Sequence, residues 1–268
     1  MTLRTFHAEK LEVRVFATRS EMGAASAVAG EAAIREILSR KAIANVIFAS
    51  APSQNEFLAG LRASREIDWT RVDAFHMDEY LGLSADHPAS FRRFLKDRLI
   101  GHAPVRAFHE LQGDAADWNA ECARYAALLA SANPDLAAVG IGENGHLAFI
   151  DPPVCDFEDP QAVRLVDLEE ACRAQQVHDG AFARLEDVPK QALSLTIPVF
   201  MRTPRIIAIV PGSAKRHAVR AALEGPVTEA CPASILRRHP CATLFLDRDS
   251  AALRAPAPHA NLDVHPTR

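Results

Sequence analysis

The amino-acid sequence predicts an α/β protein, and three observations carry this prediction. Short apolar runs rich in β-branched residues alternate along the chain with longer segments in which apolar residues recur about every 3.6 positions. The short runs are apolar throughout, which is typical of parallel strands buried on both faces. The chain has 268 residues, 49% hydrophobic and 24% charged, a composition that fits one large globular domain. We therefore expect a single Rossmann-like domain with a mostly parallel sheet and helices on both faces.

Six strands and four helices are predicted from these patterns. The predicted strands are residues 11–17, 45–50, 71–77, 136–142, 205–212 and 242–247. The predicted helices are residues 20–41, 89–100, 118–131 and 214–225. Residues 150–190 have the least regular pattern and could form a flap over a binding site. The domain is expected to span residues 1–253, and the Pro-rich residues 254–268 are expected to form a mobile or loosely docked tail.

Composition argues against several classes of protein. The formal net charge is −4, with Lys and Arg spread along the chain, so neither a nucleic acid nor a membrane surface is an expected partner. No apolar run approaches roughly 18 residues and the N-terminus lacks an apolar core, so we expect no membrane span and no signal peptide. The five cysteines form no CxxC pair and are interpreted as reduced thiols of a cytoplasmic protein. Metal-ligand and nucleotide-binding motifs are missing, so neither a metal nor a cofactor is expected.

Ligands of such sheets bind beyond the carboxyl ends of the strands, so the loops after four strands are the candidate sites. The first follows residues 45–50, where Ser50 and Ser53 offer hydroxyls and the backbone amides near Ser53 could face an anion. The alternative is that Ser53 only caps the next helix.

The second loop begins with two acidic residues, Asp78 and Glu79, directly after the strand at 71–77. A general base facing a pocket would lie at this point. Because the two acids stand between apolar residues rather than in a polar run, a functional acid that faces a pocket is slightly favoured over a solvated acidic turn.

The third loop, "GIGENGHLAFIDPP" (140–153), contains the histidine most suited to proton transfer. His146 can be tuned to work near neutral pH, and Asp151 could orient it or stabilise its charge. Gly142 and Gly145 allow backbone geometry that other residues resist, and Asn144 adds an amide. A structural histidine in a well-capped turn is the alternative.

The fourth loop places a lysine at the start of a helix, within "VPGSAKRHAV" (210–219). Lys215 in the first turn opposes the helix dipole unless an anion lies between them. Together with Ser213, this favours a phosphate over the alternative, a lysine that extends into solvent.

Four motifs occur in one order between about Val46 and Asp247. They are "MDEYLGL" with "HPASF", "GENGHLAFIDPP", "EDVPKQALSLTIP" and "VPGSAKRHAV". Together they resemble the glucosamine-6-phosphate deaminase/isomerase family, whose wider group includes the 6-phosphogluconolactonases. The resemblance implies a sugar-phosphate site and a cofactor-free aldose–ketose isomerisation followed by loss of ammonia.

The resemblance also implies roles for the polar residues of the second and third loops. Asp78 falls on the general base that moves a proton between C1 and C2, and His146 on the histidine that opens the sugar ring. Asp151 falls on a supporting residue that is a glutamate in the family. Asn144 stands where the family has an aspartate, and an amide cannot take up a proton. Gly145 is expected to lie against the substrate.

Phosphate binding is implied by the other two loops. Ser50 and Ser53 match hydroxylated positions of the phosphate loop, and Lys215 matches its lysine. The loop reads Ala-Pro where the deaminases have two glycines. The family's phosphate-binding arginine falls near Ala181, and Arg184 is the expected replacement.

The sequence alone leaves three functions open. The first and favoured one is an isomerase/deaminase of an amino-sugar phosphate or sugar phosphate. The second is a lactonase-like hydrolase in which His146 activates water against a sugar-phosphate lactone. The third is a non-catalytic sensor that retains the pocket and lacks the acid at position 144. In each case the partner is a small sugar phosphate, and the sequence allows a homo-oligomer.

Overall fold

The structure of the protein is a computed structural model that describes residues 2–252. The tail predicted for residues 254–268 lies outside the described residues. The strands are β1 (Thr2–Ala8), β2 (Leu11–Phe16), β3 (Ala44–Phe48), β4 (Val72–His76), β5 (Asp78–Tyr80), β6 (Ala107–His109), β7 (Leu136–Val139), β8 (Val163–Asp167), β9 (Gln191–Leu195), β10 (Arg205–Val210) and β11 (Ala242–Asp247). The α-helices are α1 (Arg19–Arg40), α2 (Asn55–Ala63), α3 (Phe91–Leu95), α4 (Trp118–Ala132), α5 (Glu170–His178), α6 (Ile197–Arg202) and α7 (Arg216–Glu224).

A mostly parallel sheet of eight strands forms the centre of the molecule, as predicted. Its order is β1-β2-β11-β10-β7-β3-β4-β6, and only β1 pairs antiparallel, with β2. All six predicted strands are present, as β2, β3, β4, β7, β10 and β11. Five short or polar strands were not predicted. Three of these, β5, β9 and β8, form a second, antiparallel sheet.

Helices cover both faces of the large sheet, and successive residues of β3 show how. Val46 and Phe48 point into one core, which includes Phe57 of α2, whereas Ile47 points into the other core, which includes Tyr125 of α4. All five side chains are fully buried. Each contributes about 1.5–3 kcal/mol of hydrophobic stabilisation. Within residues 2–252, no helix combines the length and apolar character needed to cross a bilayer.

The direction in which the chain adds strands to the sheet reverses between the neighbouring strands β3 and β7. The chain continues from β3 to β4 and β6 on one side, and from β7 to β10 and β11 on the other. Connections therefore diverge at this point and leave a crevice at the carboxyl ends of the two strands, where ligands of such sheets bind.

The two acids of the second loop lie on opposite faces of β5, since successive strand residues alternate. Asp78 faces the crevice. Glu79 is fully buried and accepts hydrogen bonds from Ser90 Oγ (2.7 Å), the Phe91 backbone N–H (3.2 Å) and Arg92 Nε (3.1 Å). Burial raises the pKa of Glu79, although these donors counteract part of the shift. Glu79 is thus a structural acid that fixes the start of α3.

Replacing Glu79 with alanine is expected to destabilise the protein. Glu79→Ala leaves the almost fully buried Arg92 without one of its carboxylate partners, so the free energy of unfolding should fall by about 3–5 kcal/mol. Urea unfolding measures this loss. Glu66→Ala is the matched control, because Glu66 forms only an exposed pair with Arg35 at 3.5 Å and should cost at most about 1 kcal/mol. Equal losses in the two variants would contradict the structural role of Glu79.

Candidate active site

A pocket of about 320 Å³ opens at the carboxyl edge of the sheet, at the reversal of strand order. Its walls come from the loops that follow β3, β4, β7 and β10, together with α5 and the first residue of α1. The four loops selected from the sequence therefore line one pocket.

Asp78 lies in the pocket wall and is only 6% exposed. Burial raises its pKa well above the ordinary value, and the neighbouring charge of Glu79 adds to the shift. A carboxyl group whose pKa is moved toward neutrality can both accept and return a proton, which is the requirement for a general base.

His146 also lines the pocket, with its ring packed against the backbone of Gly142. A Cβ atom at Gly142 would come within 2.2 Å of the imidazole Cε1 atom, so only glycine fits beneath the ring. The Nδ1 atom of His146 lies 3.0 Å from Asp151 Oδ1. That distance suits an ion pair, although the angles of the contact fall outside those of a hydrogen bond. Asp151 is thus placed to support the histidine.

Asp151 is fully buried and is held as a carboxylate by its neighbours. Burial alone would raise its pKa, but contacts with His146, Asn144 and the Glu169 backbone N–H outweigh that effect and lower it. The Asn144 Nδ2 group donates to Asp151 Oδ1 (2.9 Å) and to Glu169 Oε2 (2.7 Å). Its Oδ1 atom accepts the backbone N–H of His146 (3.1 Å). Asn144 therefore joins two carboxylates behind the histidine and does not line the pocket.

Gly145 does not line the pocket either. It has φ +89° and its carbonyl accepts the backbone N–H of Ala233 at 2.9 Å. A Cβ atom there would lie 3.0 Å from Cys231 Sγ. In the structure Gly145 therefore shapes the turn that carries His146, whereas the sequence had suggested a contact with substrate.

Ser50, Ser53 and Lys215 line the same pocket. Ser50 is 5% exposed, and its Oγ atom has no hydrogen-bond partner in the part of the chain that is described. Lys215 lies in the 3₁₀ turn Ser213–Lys215 directly before α7 and is 7% exposed. Burial lowers its pKa, while the nearby acidic side chains of Asp179 and Glu143 oppose the shift. A buried cation and a buried hydroxyl with no partner among the described residues, both in the wall of one pocket, suit the binding of an anion.

Arg184 does not line the pocket. Its side chain is 65% exposed and pairs with Asp187, with Nη2 2.8 Å from Oδ1. The pocket instead contains Arg19, the first residue of α1. Nothing in the sequence singled out Arg19, because it lies more than 30 positions before the loop that it contacts.

The segment 150–190, expected to be a flap, contributes one wall through α5. Gln175, Gln176 and Asp179 line the pocket. Gln175 Oε1 accepts the backbone N–H of Glu143 (2.8 Å), which ties α5 to the loop after β7. The helix α5 was not predicted, because the segment shows little apolar periodicity.

One group of side chains in residues 2–252 has the spacing of a metal site. Donor atoms of His146, Asp151 and Cys172 all lie within 4.8 Å of one another. Burial raises the pKa of the Cys172 thiol well above its usual range, and Asp151 adds to that shift. Imidazole, carboxylate and thiol are donors that zinc accepts. His146 and Asp151 belong to the third loop selected from the sequence, whereas Cys172 lies outside that loop, in α5, and had no local signal that joined it to them.

Comparison with known proteins identifies the family to which the chain is similar. Residues 17–245 match the family model described as glucosamine-6-phosphate isomerases/6-phosphogluconolactonase. Glucosamine-6-phosphate deaminases of Bacillus thuringiensis (strain Al Hakam) and Bacillus anthracis (strain CDC 684 / NRRL 3495) are 34% identical over 227 residues. The alignments cover 85% of this chain and 84% of each relative.

Solved structures agree with this assignment. A monomeric glucosamine-6-phosphate deaminase, described as a missing link of the NagB superfamily, superposes with a TM-score of 0.82 at 30% identity, over 90% of this chain and 99% of its own. A 6-phosphogluconolactonase from Shewanella baltica superposes with a TM-score of 0.74 at 17% identity, over 90% and 100% of the two chains, which shows the shared fold alone. The chain therefore belongs to the family of glucosamine-6-phosphate isomerases and 6-phosphogluconolactonases.

Proposed function

We propose that the protein is a glucosamine-6-phosphate deaminase, which opens the ring of an amino-sugar phosphate, isomerises it and releases ammonia. One observation carries the proposal: Asp78, a buried carboxyl group with a raised pKa, shares a pocket with His146 and Lys215. The 34% identity to deaminases over most of the chain supports the same reaction.

In this proposal the chemistry needs no cofactor. His146, supported by Asp151, exchanges a proton with the ring oxygen and so opens the sugar. Asp78 then removes the proton from C2 and returns it to C1, which converts the aldose with its C2 amine into a C2 imine. Water adds to the imine carbon, and ammonia leaves with formation of the ketose phosphate. Lys215, Ser50 and Ser53 hold the phosphate group during these steps.

The lactonase hypothesis is weaker on this geometry. Hydrolysis of a lactone requires one base that activates water, a role assigned to His146 in this hypothesis, and no removal of a proton from carbon. It therefore does not require a second base at Asp78. The likeness to 6-phosphogluconolactonase structures is at 11–19% identity and concerns the fold. The sensor hypothesis rested on the missing acid at position 144. Asn144 lies behind the pocket wall, so an amide there removes no reacting group.

Activity on defined phosphosugars tests the proposal. Purified protein is incubated with glucosamine 6-phosphate, glucose 6-phosphate and 6-phosphogluconolactone, and ammonia, fructose 6-phosphate and released acid are measured. We expect ammonia and fructose 6-phosphate in equal amounts from the first substrate. Acid release from the lactone alone would support the lactonase, and binding without turnover would support the sensor.

The location and assembly of the protein stay predictions. Phosphorylated sugars are retained in the cytoplasm, and the cysteines are unpaired in the structure, so a cytoplasmic enzyme is expected. Light scattering on the purified protein decides whether it forms a homo-oligomer.

Asp78→Asn is expected to lower kcat by about 10²–10⁴-fold, the usual contribution of a general base. Substrate binding should persist, because the amide has nearly the same shape. In the wild type, kcat/KM should rise with pH as Asp78 loses its proton. The pKa read from the acidic side of this pH profile should lie above the ordinary range of an aspartate. Steady-state kinetics across pH measure both the kcat of the variant and the pH dependence of kcat/KM in the wild type. A variant with full activity would contradict the assignment of the base.

The same substitution is expected to stabilise the fold at neutral pH. Because the pKa of Asp78 is higher in the folded than in the unfolded protein, the unfolded chain loses its proton first as pH rises. Stability therefore falls between the ordinary and the raised pKa, and remains lower above both. Asp78→Asn removes that loss. Thermal unfolding at pH 4 and pH 8 should show a higher Tm for the variant mainly at pH 8, and a lower Tm there would contradict the raised pKa.

Asn144→Asp tests the amide behind the histidine. The change removes the two N–H donors and brings a third carboxyl group next to Asp151 and Glu169. We expect the free energy of unfolding to fall by about 1–3 kcal/mol, together with a lower kcat. The double variant Asn144→Asp/Glu169→Gln supplies a donor again and should recover part of both losses. Higher activity in the single variant, with unchanged urea unfolding, would contradict this role.

A further inference from the structure

The proposed phosphate site needs more positive charge than Lys215 supplies. A phosphate monoester carries a charge of about −1.5 to −2 at neutral pH. The same pocket contains the acidic side chains of Asp78, Glu143 and Asp179. Apart from His146, the basic side chains among its lining residues are Lys215 and Arg19.

Arg19 is fixed against the loop that follows β3. Its Nη2 group donates to the backbone carbonyl of Pro52, and its Nε group donates to Glu56 Oε1 at 2.8 Å. Pro52 lies between Ser50 and Ser53, so the guanidinium group is attached to the loop that offers both hydroxyls. The Nη1 group takes no part in these bonds.

This arrangement favours a bound anion for physical reasons. The planar guanidinium group is always charged and matches the oxygen spacing of a phosphate. Two of its nitrogen atoms are already held, so little further conformational entropy is lost on binding. The unpaired Oγ of the buried Ser50 lies in the wall of the same pocket and provides a second, neutral donor.

We propose that Arg19 is the second cation of the phosphate site and binds the phosphoryl group of the substrate, in the role that the sequence had suggested for Arg184. The inference rests on the proposed function, since it concerns the same pocket. Glu56 is then a positioning residue that orients the guanidinium group and does not contact the substrate.

Arg19→Ala and Arg184→Ala form a matched pair for the test, because both remove one guanidinium group. Turnover of glucosamine 6-phosphate is measured with inorganic phosphate and with unphosphorylated glucosamine as competitive inhibitors. For Arg19→Ala we expect KM and the inhibition constant of phosphate to rise about 10- to 100-fold, the effect of one charged hydrogen-bond donor. The inhibition constant of glucosamine should stay within about twofold, as should all constants of Arg184→Ala.

Three outcomes would overturn the proposal. Kinetics of Arg19→Ala that match those of Arg184→Ala would show that Arg19 does not bind the phosphoryl group. Equal weakening of phosphate and glucosamine would show that Arg19 acts only on the shape of the pocket. A wild-type protein that binds neither phosphate nor phosphosugar, measured by calorimetry, would reject the proposed function together with the inference. Either of the first two outcomes, with phosphate binding retained by the wild type, rejects the inference alone.

Discussion

The reversal of strand order between β3 and β7 is the constraint on which the candidate site depends. Because the chain leaves these two neighbouring strands in opposite directions, no connection covers their carboxyl ends. Side chains from four distant segments can therefore face one cavity. The flanking strands β4 and β10 bring Asp78 and Lys215 to the same edge. The parallel sheet thus assembles groups that no local motif contains together.

Burial then gives these groups different protonation behaviour. Asp78 has few compensating contacts, so removal from water raises its pKa. Asp151 is also buried, yet His146, Asn144 and the Glu169 backbone lower its pKa and keep it ionised. Pairs of carboxyl groups whose pKa values are moved in opposite directions are a common basis for separate acid and base roles. Here one acts as the proposed proton carrier and the other as a fixed charge behind the histidine.

Strongly patterned parts of the chain could be predicted, and contacts between distant segments could not. The six apolar strands were predicted correctly, because burial on two faces leaves a clear pattern. The strands β5 and β6 have three residues each, too short for any periodicity. Asp78 and Glu79 looked equivalent in sequence, and only the alternation of β5 separates a pocket residue from a structural one. Arg19 and Glu169 gave no local signal, since their importance comes from partners elsewhere in the chain.

Transfer of the C2 proton by Asp78 is the step on which the proposed function depends. Glucosamine 6-phosphate that carries deuterium at C2 tests it directly, with kinetics and the position of the label in the product as readouts. We predict slower turnover than with the unlabelled sugar, and deuterium that moves to C1 of fructose 6-phosphate or exchanges into water. Turnover that shows no isotope effect and leaves the bond between C2 and deuterium intact would contradict the account.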